Sequence, residues 1–428
     1  MASALNTALK TMSKPSFPPL RSLDEALAEL LAAVQPLGEF ETVSTFDADR
    51  RVLAQSLTSS LDVPGFDNSQ MDGYALRASD VREAGVVLQV TQRIPAGYFG
   101  KALEPLSAAR IFTGAPMPEG ADCVVMQEDC ELVNECEGGV RVNTVPRAGQ
   151  WVRRRGEDVQ QGTVALSKGE LLAPAALGLA ASLGFDRLQV ARRPRVALFS
   201  TGDELVMPGA VAPQDLKPGA IYNSNRFFLR AMLLRAGCEV TDLGIVPDQR
   251  EATVAALQSA AQSHDLILTS GGVSVGEEDH IKPAVQQLGS LDLWSISMKP
   301  GKPFAYGRVN RAGGFAHFVG LPGNPVSSFV TFALLVRPML MQMQGMQGDL
   351  SALDSIALRA DSMPAKPDKR REFIRARRNN TGGVEAFANQ NSSVLTSCVW
   401  ADGLVDIPAV QVFAKGDTVR FIPFSSLM

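Results

Sequence analysis

The sequence reads as an α/β multidomain chain, with a doubly wound α/β domain set between a β-rich N-terminal module and a small C-terminal β domain. Three observations predict this. A chain of 428 residues exceeds one core of ordinary size and divides into roughly two to four domains. From Arg195 onward, strand-like runs alternate with helix-like runs, the pattern of a sheet with crossover helices. On either side of that region, short strand-like pieces follow one another between clusters of proline, glycine and asparagine.

Taken in order, Ser22 precedes LDEALAELLAAV with Glu25 three residues on. This is a capping box ahead of apolar residues at helical spacing, so the fold begins there with a helix. Between 56 and 155, VVLQV, ARIFTG and DCVVMQ read as strands divided by turns such as GAPMPEG. LLAPAALGLAASLG, 171–184, returns to helical character, and RRP at 192–194 marks a boundary. Beyond it, RVALFS reads as a strand, NRFFLRAMLLRAG as a helix closed by Gly237, CEVTDLGIV as a strand, EATVAALQSAAQ as a helix ending near His264, and DLILTS as a strand. GGFAHFVGLPGNPVSSFVTFALLVRPML adds strand, turn and helix. REFIRARR, VDIP and DTVRFIPF, separated by NNTGG and ADG turns, form the closing β domain.

The bulk numbers exclude several function classes. Forty-one basic against 45 acidic residues leave a net charge of −4, without the basic excess that phosphate neutralisation on nucleic acid requires. The cysteines, Cys123, Cys130, Cys136, Cys238 and Cys398, are odd in number and contain no CxxC pair. They read as buried free thiols of a reducing cytoplasm rather than a disulfide framework or zinc ribbon. The N-terminus lacks a long apolar run of the secretory kind, and 171–184 is too short and too broken by Pro174 and glycines to span a bilayer, so no membrane segment is expected.

In an open α/β sheet, ligands bind beyond the carboxyl ends of strands, which directs attention to the loops there. TGDEL carries Asp203 and Glu204, PDQR carries Asp248, GGVSVGEED carries Glu277, Glu278 and Asp279, and GLPGNP carries Pro322 and Pro325. Gly271, Gly272 and Gly276 let main-chain N–H groups approach an anion, and Ser270 and Ser274 add hydroxyls, as a phosphate loop requires. The plain alternative is a tight turn. Lys299 and Lys302 in MKPGKP stand in a proline-stiffened segment and can offset phosphate charge, or can be solvated surface charge. A carboxylate about 4 Å from a phosphate costs about 4 kcal/mol at an effective dielectric of ~20. A divalent cation reverses that sign, and oxygen donors without a histidine cluster favour Mg²⁺. Some of these acids can instead cap helices. With three histidines, no metal-pair spacing and no GxxxxGK[ST], neither a zinc hydrolase nor a P-loop NTPase is indicated.

The strings DVPGFDNSQMDGYA, IFTGAP, RRRGED, FSTGDEL, YNSNR, TSGGVSVGEED, KPGKPFAYG and GLPGNPVSS, in this order, closely resemble the molybdopterin molybdenumtransferase family, from about Ser22 to the C-terminus. The resemblance implies an N-terminal linker and dimerisation domain of 22–65 with 151–191, a β-rich domain of 66–150 carrying MDGYA, a molybdopterin-binding α/β domain of 192–347 and a C-terminal β domain of 350–428. It further implies a cytoplasmic homodimer in which one subunit's α/β domain faces the other's MDGYA domain. There, adenylylated molybdopterin is cleaved with Mg²⁺ and molybdate, AMP leaves, and molybdenum stays on the dithiolene sulfurs. Transient partners would be a molybdopterin adenylyltransferase and acceptor molybdoenzymes.

By the same resemblance, Asp72, Thr113, Arg153, Asp158, Glu204 and Lys299 act in catalysis, Glu204, Asp248 and Asp279 hold Mg²⁺, and Pro322, Pro325 and Ser392 contact substrate; the phosphate-loop reading of the residues adds Lys302 to the first set and Ser270, Gly271, Gly272, Ser274 and Gly276 to the last. From the residues alone, Arg153–Arg155 is equally a solvated basic run and Thr113 an ordinary turn residue. One departure is Ser295 in LWSISMKPGKP, where the family commonly carries lysine. The alternative activities are molybdopterin adenylylation and a non-enzymatic scaffold related to gephyrin.

Overall fold

The structure is a computed structural model and describes residues 20–133, 138–272, 280–364 and 366–428. Helix α1, Leu23–Ala33, starts as its sequence dictates: the Ser22 hydroxyl accepts from the Glu25 N–H, and the Glu25 carboxylate accepts from the Ser22 N–H. Two compact units follow, one of 42–190 and one made of the residues up to 41 together with 191–428.

The unit of 42–190 contains a six-stranded sheet of β1 (Gly73–Leu76), β2 (Val86–Ile94), β3 (Ser107–Ile111), β4 (Cys123–Met126), β5 (Cys130–Val133) and β6 (Gly139–Val142). Their spatial order is β4-β1-β3-β2-β6-β5. Period-2 alternation puts Leu76, Leu88 and Val125 on one face, and Ala75, Ile94, Ile111 and Val124 on the other. Helix α2, Pro174–Ser182, packs with Leu53, Leu57, Leu166, Leu172 and Leu188 in a separate small core.

The other unit is built on β7 (Arg195–Thr201), α3 (Asn225–Arg235), β8 (Glu239–Val246), α4 (Arg250–Ser263), β9 (Leu266–Ser270), α5 (Ile281–Leu288), β10 (Gly289–Ser295), β11 (Met298–Lys299), β12 (Pro303–Arg311) and β13 (Gly314–Leu321). The sheet order is β8-β7-β9-β13-β12-β10; β8, β7, β9 and β13 are parallel, while β12 runs antiparallel to both its neighbours, β13 and β10. Helices cover both faces, so the sheet is wound on two sides as expected, but it is mixed at one edge because Gly313 and Gly314 close β12 onto β13 as a tight hairpin. Helix α6, Pro325–Thr331, runs through a π-helical turn at Phe332–Val336 into α7, Arg337–Met343. This 19-residue stretch is long and apolar enough to cross a bilayer, yet 83% of its window is buried as core.

Helix α1 belongs to this same compact unit. Its apolar face, Leu23, Ala26, Leu27 and Leu30, lies in the same core as Val196, Leu229, Met339 and Leu340, and the Leu37 N–H donates to the Met343 carbonyl. The C-terminal strands β14 (Ile356–Ser362), β15 (Arg371–Arg378), β16 (Gly383–Ala386), β17 (Gly403–Ile407) and β18 (Thr418–Pro423) close into a five-stranded barrel through a β15–β17 pairing. Strand β11, from the MKPGKP motif, adds to β15 at its edge.

Candidate active site

Strand β8 lies on one side of β7 and β9 on the other, so the chain reverses its winding at β7 and opens a crevice beyond the carboxyl ends. A cavity of about 640 Å³ occupies that position. Its walls come from the ends of β7 and β9 (Ser200, Thr201, Ser270, Gly271, Gly272), from the loop after β7 (Glu204), from the start of α3 (Asn223, Asn225), and from the GLPGNP turn (Pro322, Gly323, Asn324, Pro325). Pro303 and Ser393 complete it.

The glycines are required by the approach of three loops. Gly271 sits at φ +93°, where a Cβ would press on the Thr201 carbonyl at 3.3 Å, and the Gly271 N–H donates to the Leu321 carbonyl at 3.0 Å. Gly202, at φ +139°, leaves room for the Glu204 carboxylate to fold back over it. Beneath the loops lies a polar network. Asn225 Nδ2 donates to Ser270 Oγ and to the Gly323 carbonyl, each at 2.7 Å, and the Ser270 and Ser328 hydroxyls donate to the Pro322 carbonyl. The Ser270 hydroxyl is thus turned inward to brace the loops, and what it presents to a ligand is shape.

Two further buried polar atoms among the cavity-lining residues, Asn223 Nδ2 and Ser200 Oγ, have no partner within the protein. Asn223 is 2% exposed. A buried donor left unsatisfied costs about 1–3 kcal/mol, so a lining of this kind fits a ligand rich in acceptor oxygens. Glu204 is the one acid that faces the cavity among the described residues.

The remaining residues expected at the site divide three ways. Asp248 follows β8, two positions beyond the register partner of Thr201, at the same sheet edge but outside the cavity wall. Ser274, Gly276 and Asp279 lie outside the described residues. Among those described, no group of three or more His, Cys, Asp or Glu side chains is arranged to hold a metal. Lys299 does not line the cavity: its Nζ pairs with Glu372 at 2.6 Å and with Asp368 at 3.4 Å in the C-terminal barrel. Lys302, whose carbonyl accepts from the Ile296 N–H, lies one residue before Pro303 and outside the lining as well. Ser295 is the register partner of Pro303, and its carbonyl accepts from the Arg21 N–H.

The Ser392 carbonyl accepts from the Val326 N–H at 2.9 Å, which docks the 389–395 loop on the start of α6 and brings Ser393 to the cavity. That loop is braced from behind by Arg375, 1% exposed, which donates to the Asn391 carbonyl at 3.4 Å and to Ser397 Oγ at 3.1 Å. Burial pulls its guanidinium down to about 10. The signal for Arg375 was present in REFIRARR, where strand alternation puts it on the same inward face as Phe373. Asn223 and Asn225 stood within YNSNR, where an asparagine before a helix reads as a cap.

In the unit of 42–190, Asp72 and Thr113 are brought together. The Thr113 N–H and hydroxyl both donate to Asp72 Oδ1 at 2.8 Å, and these bonds, the backbone one first, hold the carboxyl below its ordinary range. Of the RRRGED arginines, Arg154 pairs with Asp67 and Arg155 with Asp62, each at 2.6 Å, whereas the Arg153 side chain, among the described residues, donates to the neutral Asn68 Oδ1. The Asp158 N–H donates to the Val63 carbonyl at 3.0 Å.

Comparison with known proteins agrees with this layout. Residues 21–184 match the MoeA N-terminal region (domain I and II), 197–342 a probable molybdopterin binding domain, and 358–424 the MoeA C-terminal region (domain IV). The molybdopterin molybdenumtransferase of Haemophilus influenzae is 37% identical over 414 residues, covering 95% of this chain and 99% of that protein. The chain belongs to the molybdopterin molybdenumtransferase (MoeA) family. Its activity is that of an enzyme of molybdenum cofactor biosynthesis. The Bacillus subtilis molybdopterin molybdenumtransferase is 33% identical, over 94% of this chain and 93% of its own length. The crystal structure of a molybdopterin biosynthesis MoeA protein from Pyrococcus horikoshii OT3 superposes with a TM-score of 0.81 at 27% identity, over 95% of this chain and all of that one (100%). The MoeA-family architecture therefore extends through the N-terminal region, the mixed α/β domain and the five-stranded barrel.

Proposed function

We propose that this chain transfers molybdenum from molybdate to adenylylated molybdopterin, releasing AMP, and that the crevice beyond β7 and β9 holds the phosphate-bearing part of that substrate. The observation that carries the proposal is the cavity wall itself: closely packed glycines, two unpartnered buried donors and a single carboxylate. Gly271 and Gly272 permit close approach of an anion, and Ser200 Oγ and Asn223 Nδ2, buried just beneath the wall without a protein partner, would become donors to its oxygens on a turn of their side chains. The buried Arg375 charge behind Ser393 adds a favourable field for an oxyanion. Glu204, with Asp248 and Asp279, would hold Mg²⁺, which needs only one or two carboxylates when substrate phosphates complete its shell. Bound there, the ion would neutralise charge on the phosphates and on departing AMP.

Asp72, kept ionised by Thr113, and Arg153, which makes no ion pair among the described residues, form a second set suited to molybdate and the pterin. We propose that this set serves the α/β crevice of a second copy in a homodimer. Support for a dimer comes from α2, which presents Leu177, Gly178 and Ala181 beside Phe46, 97% exposed, around an apolar groove of about 610 Å³. A cytoplasmic location accords with thiols made inert by burial, Cys398 being pushed up to about 11. Transient contacts would be with the adenylyltransferase that supplies the substrate and the enzymes that receive the product.

The test follows AMP release and cofactor formation by the purified protein. Both are expected to appear together when adenylylated molybdopterin, molybdate and Mg²⁺ are supplied, and neither with ATP and free molybdopterin. Glu204→Gln and Asp72→Asn should each be inactive and regain activity when mixed. Undiminished turnover in excess chelator would remove the metal, and a mixture as inactive as its parents would remove the shared site.

A further inference from the structure

We propose that Glu372, backed by Asp368, is the positioning residue that fixes the ammonium of Lys299, so that the C-terminal barrel contributes to the transferase site through this lysine. The proposal rests on the reading that Lys299 serves the reaction.

The geometry begins in the backbone. Strand β11 leaves the α/β sheet and pairs in parallel with β15, placing Met298 opposite Arg371 and Lys299 opposite Glu372. The Arg371 N–H donates to the Ser297 carbonyl at 3.1 Å and secures the register. On the other side, the segment is pressed onto α6: a Cβ on Gly301, at φ +106°, would collide with Thr331 Oγ1 and approach the Ser327 carbonyl to 3.6 Å. Ser327 and Pro303 both line the cavity. The lysine therefore springs from a short strand clamped between the barrel and the helix that forms the cavity wall.

The side chains then restrict the ammonium. Glu372 is 5% exposed and meets Lys299 Nζ at 2.6 Å; Asp368, at 3.4 Å, is held below its usual range first by Arg370, which donates to it at 3.0 Å. Lysine and arginine balance the two acids, so the cluster carries no net charge to attract a phosphate by itself. Its consequence is placement. A lysine stem has many rotamers to lose on being fixed, and the carboxylates fix it before any ligand arrives. An ammonium has three donors, and two acids leave one for an acceptor. Preorganisation of this kind acts on the turnover step, because a group out of place by ~1 Å can cost on the order of 100-fold in rate.

The experiment compares Glu372→Gln, Lys299→Met and the double variant in the AMP-release assay, with thermal unfolding measured in parallel. Glu372→Gln is expected to lower kcat about 10- to 100-fold with KM changed less than about threefold. The double variant should be no slower than Lys299→Met alone, since a positioning residue has nothing left to position. Glu372→Asp, which keeps the charge on a stem one methylene shorter, should recover part of the loss and guards against a folding defect in Glu372→Gln. Wild-type kcat in Glu372→Gln, or a double variant slower than Lys299→Met by the full factor of Glu372→Gln, overturns the proposal while leaving the role of Lys299 intact. Full activity of Lys299→Met overturns the reading on which it rests.

Discussion

Removing the amide of Asn225 is a direct test of how the crevice is held open. Its Nδ2 makes two bonds at 2.7 Å, to Ser270 Oγ after β9 and to the Gly323 carbonyl in the GLPGNP turn, and the residue is buried. Asn225→Ala deletes both bonds and leaves the Gly323 carbonyl without that donor. Two net hydrogen bonds at about 1 kcal/mol each, with roughly 1 kcal/mol for the stranded acceptor, give about 2–4 kcal/mol. Because the chain forms two compact units, a single global unfolding curve is a poor gauge, and local opening is better read by amide hydrogen exchange. The Gly271 N–H, bonded to the Leu321 carbonyl, is the reporter. Its exchange should accelerate by roughly 30- to several hundred-fold, and KM for adenylylated molybdopterin should rise. Asn225→Asp supplies the control: at neutral pH its carboxylate faces the Gly323 carbonyl and the defect should persist, whereas acidification restores an O–H donor and should ease it. Exchange at Gly271 within about threefold of wild type in Asn225→Ala would refute the view that this network sets the crevice geometry.

Two further outcomes follow from groups away from the crevice floor. His317, buried beside Tyr306 and near the Arg308 charge, is held down to about 4, burial being the larger cause. A histidine kept neutral when folded loses ground below its unfolded value, so stability should fall as pH drops from ~6.5 to about 4, by about 3 kcal/mol. Denaturant titrations at stepped pH should show this window, and His317→Gln should flatten it. Thr113→Val removes one of two donors to Asp72 and keeps the main-chain N–H; the acid limb of the pH–rate profile should move upward, and an unmoved limb would detach Asp72 from the titration that governs activity.

What the sequence disclosed and what it did not follow a physical line. The Ser22–Glu25 capping box, the strand–helix alternation after Arg195 and the glycines of TSGG are local signals, written within a few residues, and each reappears in the fold. The hairpin that makes the sheet mixed was also local, in the paired glycines at 313–314, but the flanking apolar runs alone suit a parallel strand equally well. The partners of α1 and of Lys299 were not legible. Leu27 meets residues more than two hundred positions away, and Lys299 meets Glu372 across a strand pairing between domains. No periodicity encodes such contacts, because they are settled by which surfaces the completed domains present.

The same distinction bears on the electrostatics of the site. Read along the chain, the acids of three loops crowd one sheet edge and would repel any phosphate placed there. In space they are sorted. Among the described residues, Glu204 alone faces the cavity and Asp248 stands at the edge strand, while Glu277, Glu278 and Asp279 lie outside the described residues. Opposing them near the cavity is Arg375, a buried cation whose side-chain partners are carbonyls and a hydroxyl rather than a carboxylate. The barrel that carries Arg375 thereby sets a buried positive charge behind the loop that brings Ser393 to the cavity.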